Sequence, residues 1–142
     1  MERYIGLDVG DRTIGIAISD PFLLTAQSLM TIKRKSKIED IEIINDIIKE
    51  KEVSKIIVGL PKNMNNTIGP QAKKVKTFVK ELRKHTDLDI EYVDERLTTV
   101  SATRVLIEQN VSRKKRKDVI DSVAATYILQ TYLDMGRWLW KL

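Results

Sequence analysis

Three carboxylates stand where a core-facing element would not choose them. Asp8 lies inside the apolar run of "IGLDVGDRTIGIAIS" (Ile5–Ser19), Glu95 ends the strand-like "IEYVDE", and Asp121 opens "DSVAATYI". Asp121 shares a helical face with Ala124, Ala125 and Ile128, at spacings of three, four and seven residues. That face is mostly apolar and so looks inward, and its two alanines let the helix come close to whatever it covers. A buried, unpaired carboxylate is very costly. Three that converge raise one another's pKa unless a cation sits among them. A hard divalent ion removes that penalty, and Mg²⁺ takes oxygen ligands from a few carboxylates while keeping waters and substrate phosphates. The three residues therefore read as a Mg²⁺ site, with Mn²⁺ as the alternative ion.

Taken singly, a carboxylate is more often a salt-bridge partner, a cap or a strand-end residue. Asp94, Asp11 and Asp20 compete for the same role, and Asp11 and Asp20 look like turn residues. Asp118 lies three residues before Asp121 on the same helical face. It reads first as the helix N-cap, and otherwise as a fourth ligand or a proton-relay group.

The elements that must position these residues follow from the apolar spacing. Tyr4–Val9 and Thr13–Ser19 predict two strands joined by the turn "GDRT", whose glycine can take a positive φ. Leu24–Ile32 predicts a third strand, completing an antiparallel meander. Ile38, Ile41, Ile44, Ile47 and Ile48 recur at helical spacing over Ile38–Lys51. "KIIVGL" (Lys55–Leu60) is a strand covered on both faces. Pro61–Pro70 has loop composition, and Pro70 suits the first position of a helix that buries Ala72, Val75, Val79 and Leu82. Its lysines, Lys73, Lys76, Lys80 and Lys84, form a solvent face. After the strand Ile90–Glu95, helices are predicted over Thr98–Asn110 and Asp118–Leu133, separated by the basic loop "SRKKRK". In "RWLWKL" the tryptophans are expected to pack back on the core. This alternation after an opening meander predicts an α/β fold, a mixed sheet with helices on its faces.

The 142 residues suit one domain, 1–142, with no boundary or repeat. The absence of cysteine excludes disulfides and thiolate metal sites and points to a reducing compartment. No stretch reaches the ~18 apolar residues of a membrane span, so a cytoplasmic location is expected. A formal charge of +5 favours an anionic partner, nucleic acid before others.

"GLDVGDRTIGIAISDP", "IIVGLPKNMNNTIGPQAKKVKTFVKEL" and "DERLTTVSATRVLIEQNVSRKKRKDVIDSVAATYILQTYLD" together resemble the YqgF family, also called RuvX. The likeness spans nearly the whole chain in order, and "DERLTT" followed by "IDSVAATYILQ" is its most specific part. The chain departs from the family pattern at Lys62 and Asn66. The resemblance implies an RNase H-like fold with a five-stranded mixed sheet. It also implies a nuclease, taken as one that matures the 5′ end of 16S rRNA, and earlier as a Holliday-junction resolvase by similarity to RuvC. The family's acidic trio falls on Asp8, Glu95 and Asp121, the residues that the chemistry selects. The related resolvase pattern has two acids one turn apart on its last helix, which keeps Asp118 in view.

Such a site would hold two Mg²⁺ roughly 4 Å apart and hydrolyse a phosphodiester by in-line attack of water. Asp8 would bridge the ions. Gly6 and Gly10 beside it would let a phosphate or backbone approach. His85, the only histidine, reads as a surface residue rather than a base. Arg96, Arg104 and the run Arg113, Lys114, Lys115, Arg116 and Lys117 are the candidate nucleic-acid contacts, the run because it leads directly into the Asp121 helix. The expected partner is pre-16S rRNA or branched DNA, bound by a monomer or weak homodimer. Alternatives are a Holliday-junction resolvase in recombination and repair, and a non-catalytic RNA-binding assembly or transcription factor. An actin-like ATPase, suggested by "DVGDRTIG", needs two such domains to enclose its nucleotide.

Overall fold

The computed structural model describes residues 2–62, 65, 67–97 and 113–140, with side chains in the last helix described for 122–136. The chain opens with three strands, β1 (Arg3–Val9), β2 (Thr13–Ser19) and β3 (Ala26–Lys33). Helix α1 (Lys37–Glu50), strand β4 (Val53–Leu60), helix α2 (Pro70–Arg83) and strand β5 (Asp89–Asp94) follow. A short 3₁₀ turn, Glu95–Leu97, ends β5, and a long helix α3 (Arg113–Trp140) closes the described chain.

The five strands form one sheet in the order β3-β2-β1-β4-β5. β1 pairs antiparallel with β2, and β2 with β3, while β1–β4 and β4–β5 are parallel. The mixed sheet predicted from the opening meander and the later alternation is what the chain builds. Helices lie on both faces. On one, Ile5, Leu7 and Val9 pack with Ile41, Ile44 and Ile47 of α1 and with Val75, Phe78, Val79 and Leu82 of α2. On the other, Ala17, Ile57 and Val93 meet Ala124, Ala125, Ile128, Leu129 and Leu133 of α3. Burial of Ile128 and Leu129, both fully enclosed, contributes about 1.5–3 kcal/mol each and docks α3 on the sheet.

Local signals explain most boundaries. Ser36 caps α1 by accepting from the Glu39 N–H at 3.1 Å. Pro70 opens α2 behind the N-cap Gly69. Asp20 accepts from the N–H groups of Phe22, Leu24 and Thr25 and so shapes the β2–β3 turn, as its type predicts. Four expectations change. Ile38 is 46 % exposed, and the inward position one turn before Ile44 is taken by Asp40. No described glycine has a positive φ. Gly10 is needed instead because its N–H donates to the Thr13 carbonyl at 2.9 Å and a Cβ there would stand 3.0 Å from that oxygen. The basic run is not a loop: Arg113–Lys117 form the start of α3. Asp118 is therefore inside the helix and cannot be its N-cap. The helix expected over 98–110 lies outside the described residues, as do the side chains of Trp138 and Trp140.

Candidate active site

Alternation along β1 sorts its side chains. Ile5, Leu7 and Val9 enter the core under α1 and α2, which leaves Tyr4, Gly6 and Asp8 on the face that α3 covers. Asp8 is only 9 % exposed there. At Gly6 the helix backbone comes close. A Cβ on Gly6 would lie 2.8 Å from Leu129 Cβ and 3.0 Å from the Ala125 carbonyl oxygen. Of the two expected approaches at Gly6, a phosphate or backbone, it is the α3 backbone that comes close. The small residues Ala124 and Ala125 permit this approach, as their spacing predicts.

Glu95 reaches the same face from another strand. Leu7 pairs with Val58, so Gly59 stands beside Asp8 at the next rung of the parallel ladder. Gly59 in turn pairs with Val93 of β5, two residues before Glu95. A Cβ on Gly59 would lie 3.2 Å from Glu95 Oε1 and 2.4 Å from Ile128 Cδ1. The Glu95 carboxylate therefore sits over Gly59, at the carboxyl ends of β1, β4 and β5 and under α3. Open α/β sheets bind their ligands at this end. Glu95 lies one residue beyond the strand that it was expected to end.

Helix α3 runs antiparallel to β1. Tyr132 meets Tyr4 edge-to-face at 6.0 Å between ring centroids, and the earlier Leu129 and Ala125 meet the later Gly6. Asp118 and Asp121 belong to the first half of this helix, and their side chains lie outside the described residues. Among the described residues, and so without the Asp121 side chain, no three His, Cys, Asp or Glu side chains gather as a metal site.

The other candidates separate. Asp94 is the partner of Arg96, whose Nε donates to both carboxylate oxygens at 3.0 and 2.9 Å. The Arg96 guanidinium holds the Asp94 carboxyl below its usual range, and this ion pair accounts for the carboxylate at the end of β5. Asp11 pairs with Lys74 at 3.1 Å on the surface. His85 is exposed, 3.5 Å from Glu81, at the end of α2. Arg104 lies outside the described residues, and Arg113–Lys117 are described as helix backbone only.

Two groups were not foreseen. Lys55 donates to the Tyr132 hydroxyl at 3.1 Å and lies 3.4 Å from Glu91, over the rings of Tyr4 and Tyr132. Tyr132 donates a short hydrogen bond to Glu91. The Tyr132 contact and the nearby Glu91 charge raise the Lys55 pKa, and the donated Tyr132 hydrogen bond lowers that of Glu91. Because Lys55 and Tyr132 are 77 positions apart, no local pattern announces this cluster. The second group is the buried Asp40 with Arg34. Here a signal existed: a carboxylate on the isoleucine face of a predicted helix, the same anomaly that singled out Asp8.

The fold is that of the RNase H-like resolvases. The chain superimposes on Thermus thermophilus RuvC, solved in complex with a Holliday junction substrate, with a TM-score of 0.61 at 11 % identity over 96 % of this chain and 97 % of that one. The fowlpox virus Holliday junction resolvase gives 0.52 at 14 % identity over 94 % and 99 %. A family model described as "RuvX: Holliday junction resolvase" matches residues 2–135. A relative from Clostridium botulinum strain Hall, named "Putative pre-16S rRNA nuclease", is 57 % identical over 93 % of this chain and 96 % of its own length. One of the same name from Clostridioides difficile strain 630 is 58 % identical over 93 % and 94 %. The chain belongs to the RuvX family.

Proposed function

We propose that residues 1–142 form a single metal-dependent nuclease domain that hydrolyses phosphodiesters in structured RNA, maturing the 5′ end of pre-16S rRNA in the cytoplasm during ribosome biogenesis. The observation that carries this reading is the buried Asp8 with the Glu95 carboxylate over the adjoining Gly59, both at the carboxyl ends of parallel strands. The name shared by relatives more than half identical to this chain supports the RNA substrate.

Helix geometry supports Asp121 as the third member. From the Gly6–Ala125 contact, Asp8 is about 6.6 Å further along the strand and Asp121 about 6 Å back along the antiparallel helix. The two advances match, so the Asp121 backbone comes level with Asp8. The donor set is all carboxylate oxygen and one member is buried, which suits a hard cation such as Mg²⁺ or Mn²⁺. Asp8, Glu95 and Asp121 would hold it, and Asp118 adds a fourth carboxylate one turn away. Bound Mg²⁺ supplies Lewis acidity and a water of lowered pKa. Helix α3 covers the face of the sheet on which Asp8 is buried. Arg113–Lys117 begin the same helix, an end where cations oppose the helix dipole. A nucleic-acid phosphate offsets that repulsion, which favours this run as the backbone contact.

A second reading is resolution of branched DNA, favoured by the description of the family and the likeness to RuvC. One experiment separates the two. Purified protein with Mg²⁺ is given pre-16S rRNA or a four-way DNA junction, with Asp8→Asn as control. Cleavage of the RNA alone supports the proposal, and cleavage of the junction alone transfers it to the second reading. Cleavage of neither, or cleavage that persists in Asp8→Asn, refutes both.

A further inference from the structure

Asp8 lies two residues before the β1–β2 turn, and that turn is gripped from the opposite side of the sheet. Arg34, directly after β3, holds it twice. Its backbone N–H donates to the Arg12 carbonyl at 2.9 Å, and its Nη1 donates to the Gly10 carbonyl at 2.8 Å. The same guanidinium donates through Nε to Asp40 Oδ2 at 3.2 Å and lies 5.2 Å over the Phe78 ring. Asp40 is 1 % exposed, and its other oxygen accepts from the Lys35 N–H at 3.1 Å. One side chain thus ties the turn to α1 through a buried carboxylate and to α2 through an aromatic face. Two further side-chain contacts reach the turn and hold it weakly. Gln71 contacts the Val9 carbonyl at 3.5 Å, and the Lys74–Asp11 pair is exposed, worth about 0–1 kcal/mol.

Arg34 and Asp40 act from the α1–α2 side of the sheet, opposite the face of Asp8, and stapling β3 to α1 would not require the Gly10 contact. We infer that Arg34, oriented by Asp40, is a positioning residue that sets the place of Asp8 by fixing the Gly10 end of its strand. The inference rests on the reading of Asp8 as a metal ligand. It needs arginine in particular. A planar fork serves a carboxylate, a carbonyl and a ring face together, whereas an ammonium is a point charge. It also depends on the ion. Mg²⁺ demands near-ideal octahedral geometry at about 2.0–2.1 Å, while Ca²⁺ accepts irregular shells at about 2.3–2.6 Å.

The test is a thermal-denaturation titration with Mg²⁺ and separately with Ca²⁺, on the wild type, Arg34→Lys, Asp40→Asn and a control, Val75→Ala, which loosens the same core away from the turn. Arg34→Lys should raise the Mg²⁺ midpoint by about 10-fold, the lower range for residues that orient metal ligands, and move the Ca²⁺ midpoint far less. Asp40→Asn, which keeps Arg34 and its shape, should shift in the same order by a smaller factor and serves if the lysine variant does not fold. Val75→Ala should lower the melting temperature without moving either midpoint. Equal Mg²⁺ midpoints in the wild type and the two turn variants would overturn the positioning role while leaving the metal reading intact. A wild type without any Mg²⁺ response would overturn the metal reading, and the inference with it.

Discussion

Replacing Gly6 by alanine tests whether the approach of α3 to β1 is as close as the structure has it. Gly6 has no positive φ, so alanine meets no backbone strain, and only the space decides. Its Cβ would lie 2.8 Å from Leu129 Cβ, about 0.7–1.2 Å inside ordinary carbon contact. It would also lie 3.0 Å from the Ala125 carbonyl. Neither obstacle can rotate away, because one is a Cβ and the other is backbone, so α3 itself must move. Overpacking of this kind costs about 1–3 kcal/mol, against about 0.4–1 kcal/mol gained by stiffening the unfolded chain. The net is a loss of up to about 2.6 kcal/mol, with a melting temperature lower by about 2–4 °C per kcal/mol for a chain of this size. Urea denaturation measures it through the midpoint at constant slope. At Gly59 the nearest atoms are Cδ1 and Cγ1 of Ile128, a side chain that can swing, and Glu95 Oε1 follows at 3.2 Å. Gly59→Ala should therefore cost less stability than Gly6→Ala yet reduce cleavage more than its stability loss accounts for. A Gly6→Ala midpoint at or above that of the wild type would refute the close approach, and with it the levelling of Asp121 with Asp8.

Asp8→Asn should fold and bind nucleic acid but not cleave, and the melting-temperature rise that Mg²⁺ gives the wild type by binding the folded state should shrink. A large fall in its metal-free melting temperature, with no Mg²⁺ response in the wild type, would falsify the catalytic role. Replacing Arg113, Lys114, Lys115, Arg116 and Lys117 by serine should flatten the slope of log affinity against log salt by roughly 0.7–0.9 for each phosphate no longer neutralised; an unchanged slope would mean a merely solvated helix end. Because Tyr132 and Lys55 hold the Glu91 carboxyl below its usual range, its stabilising contribution is present above the unfolded pKa near 4.3 and is lost as pH falls through the folded value. From about pH 5 to pH 3, Tyr132→Phe should therefore lose less stability than the wild type in urea titrations. The difference is small because Glu91 is about half-exposed, and equal losses would refute the coupling.

The sequence by itself determined the mixed sheet, because an opening run of strands joined by short turns must pair antiparallel, and strands separated by helical stretches can return parallel. It also singled out Asp8, Glu95 and Asp121, since a carboxylate inside an apolar period is an anomaly that needs a partner. The start of α3 was misread because a run of five cations looks like loop or surface, and nothing local shows where a basic helix begins. What only the tertiary structure decided is which residues meet. Gly6 and Gly59 matter because a helix more than a hundred residues from β1 lies against both, not because of turn geometry, and Arg34 matters because its guanidinium bridges a turn and two helices. Periodicity places a residue on a face, but contact across a sheet depends on register, crossover and packing distance, and these are set jointly by all the elements.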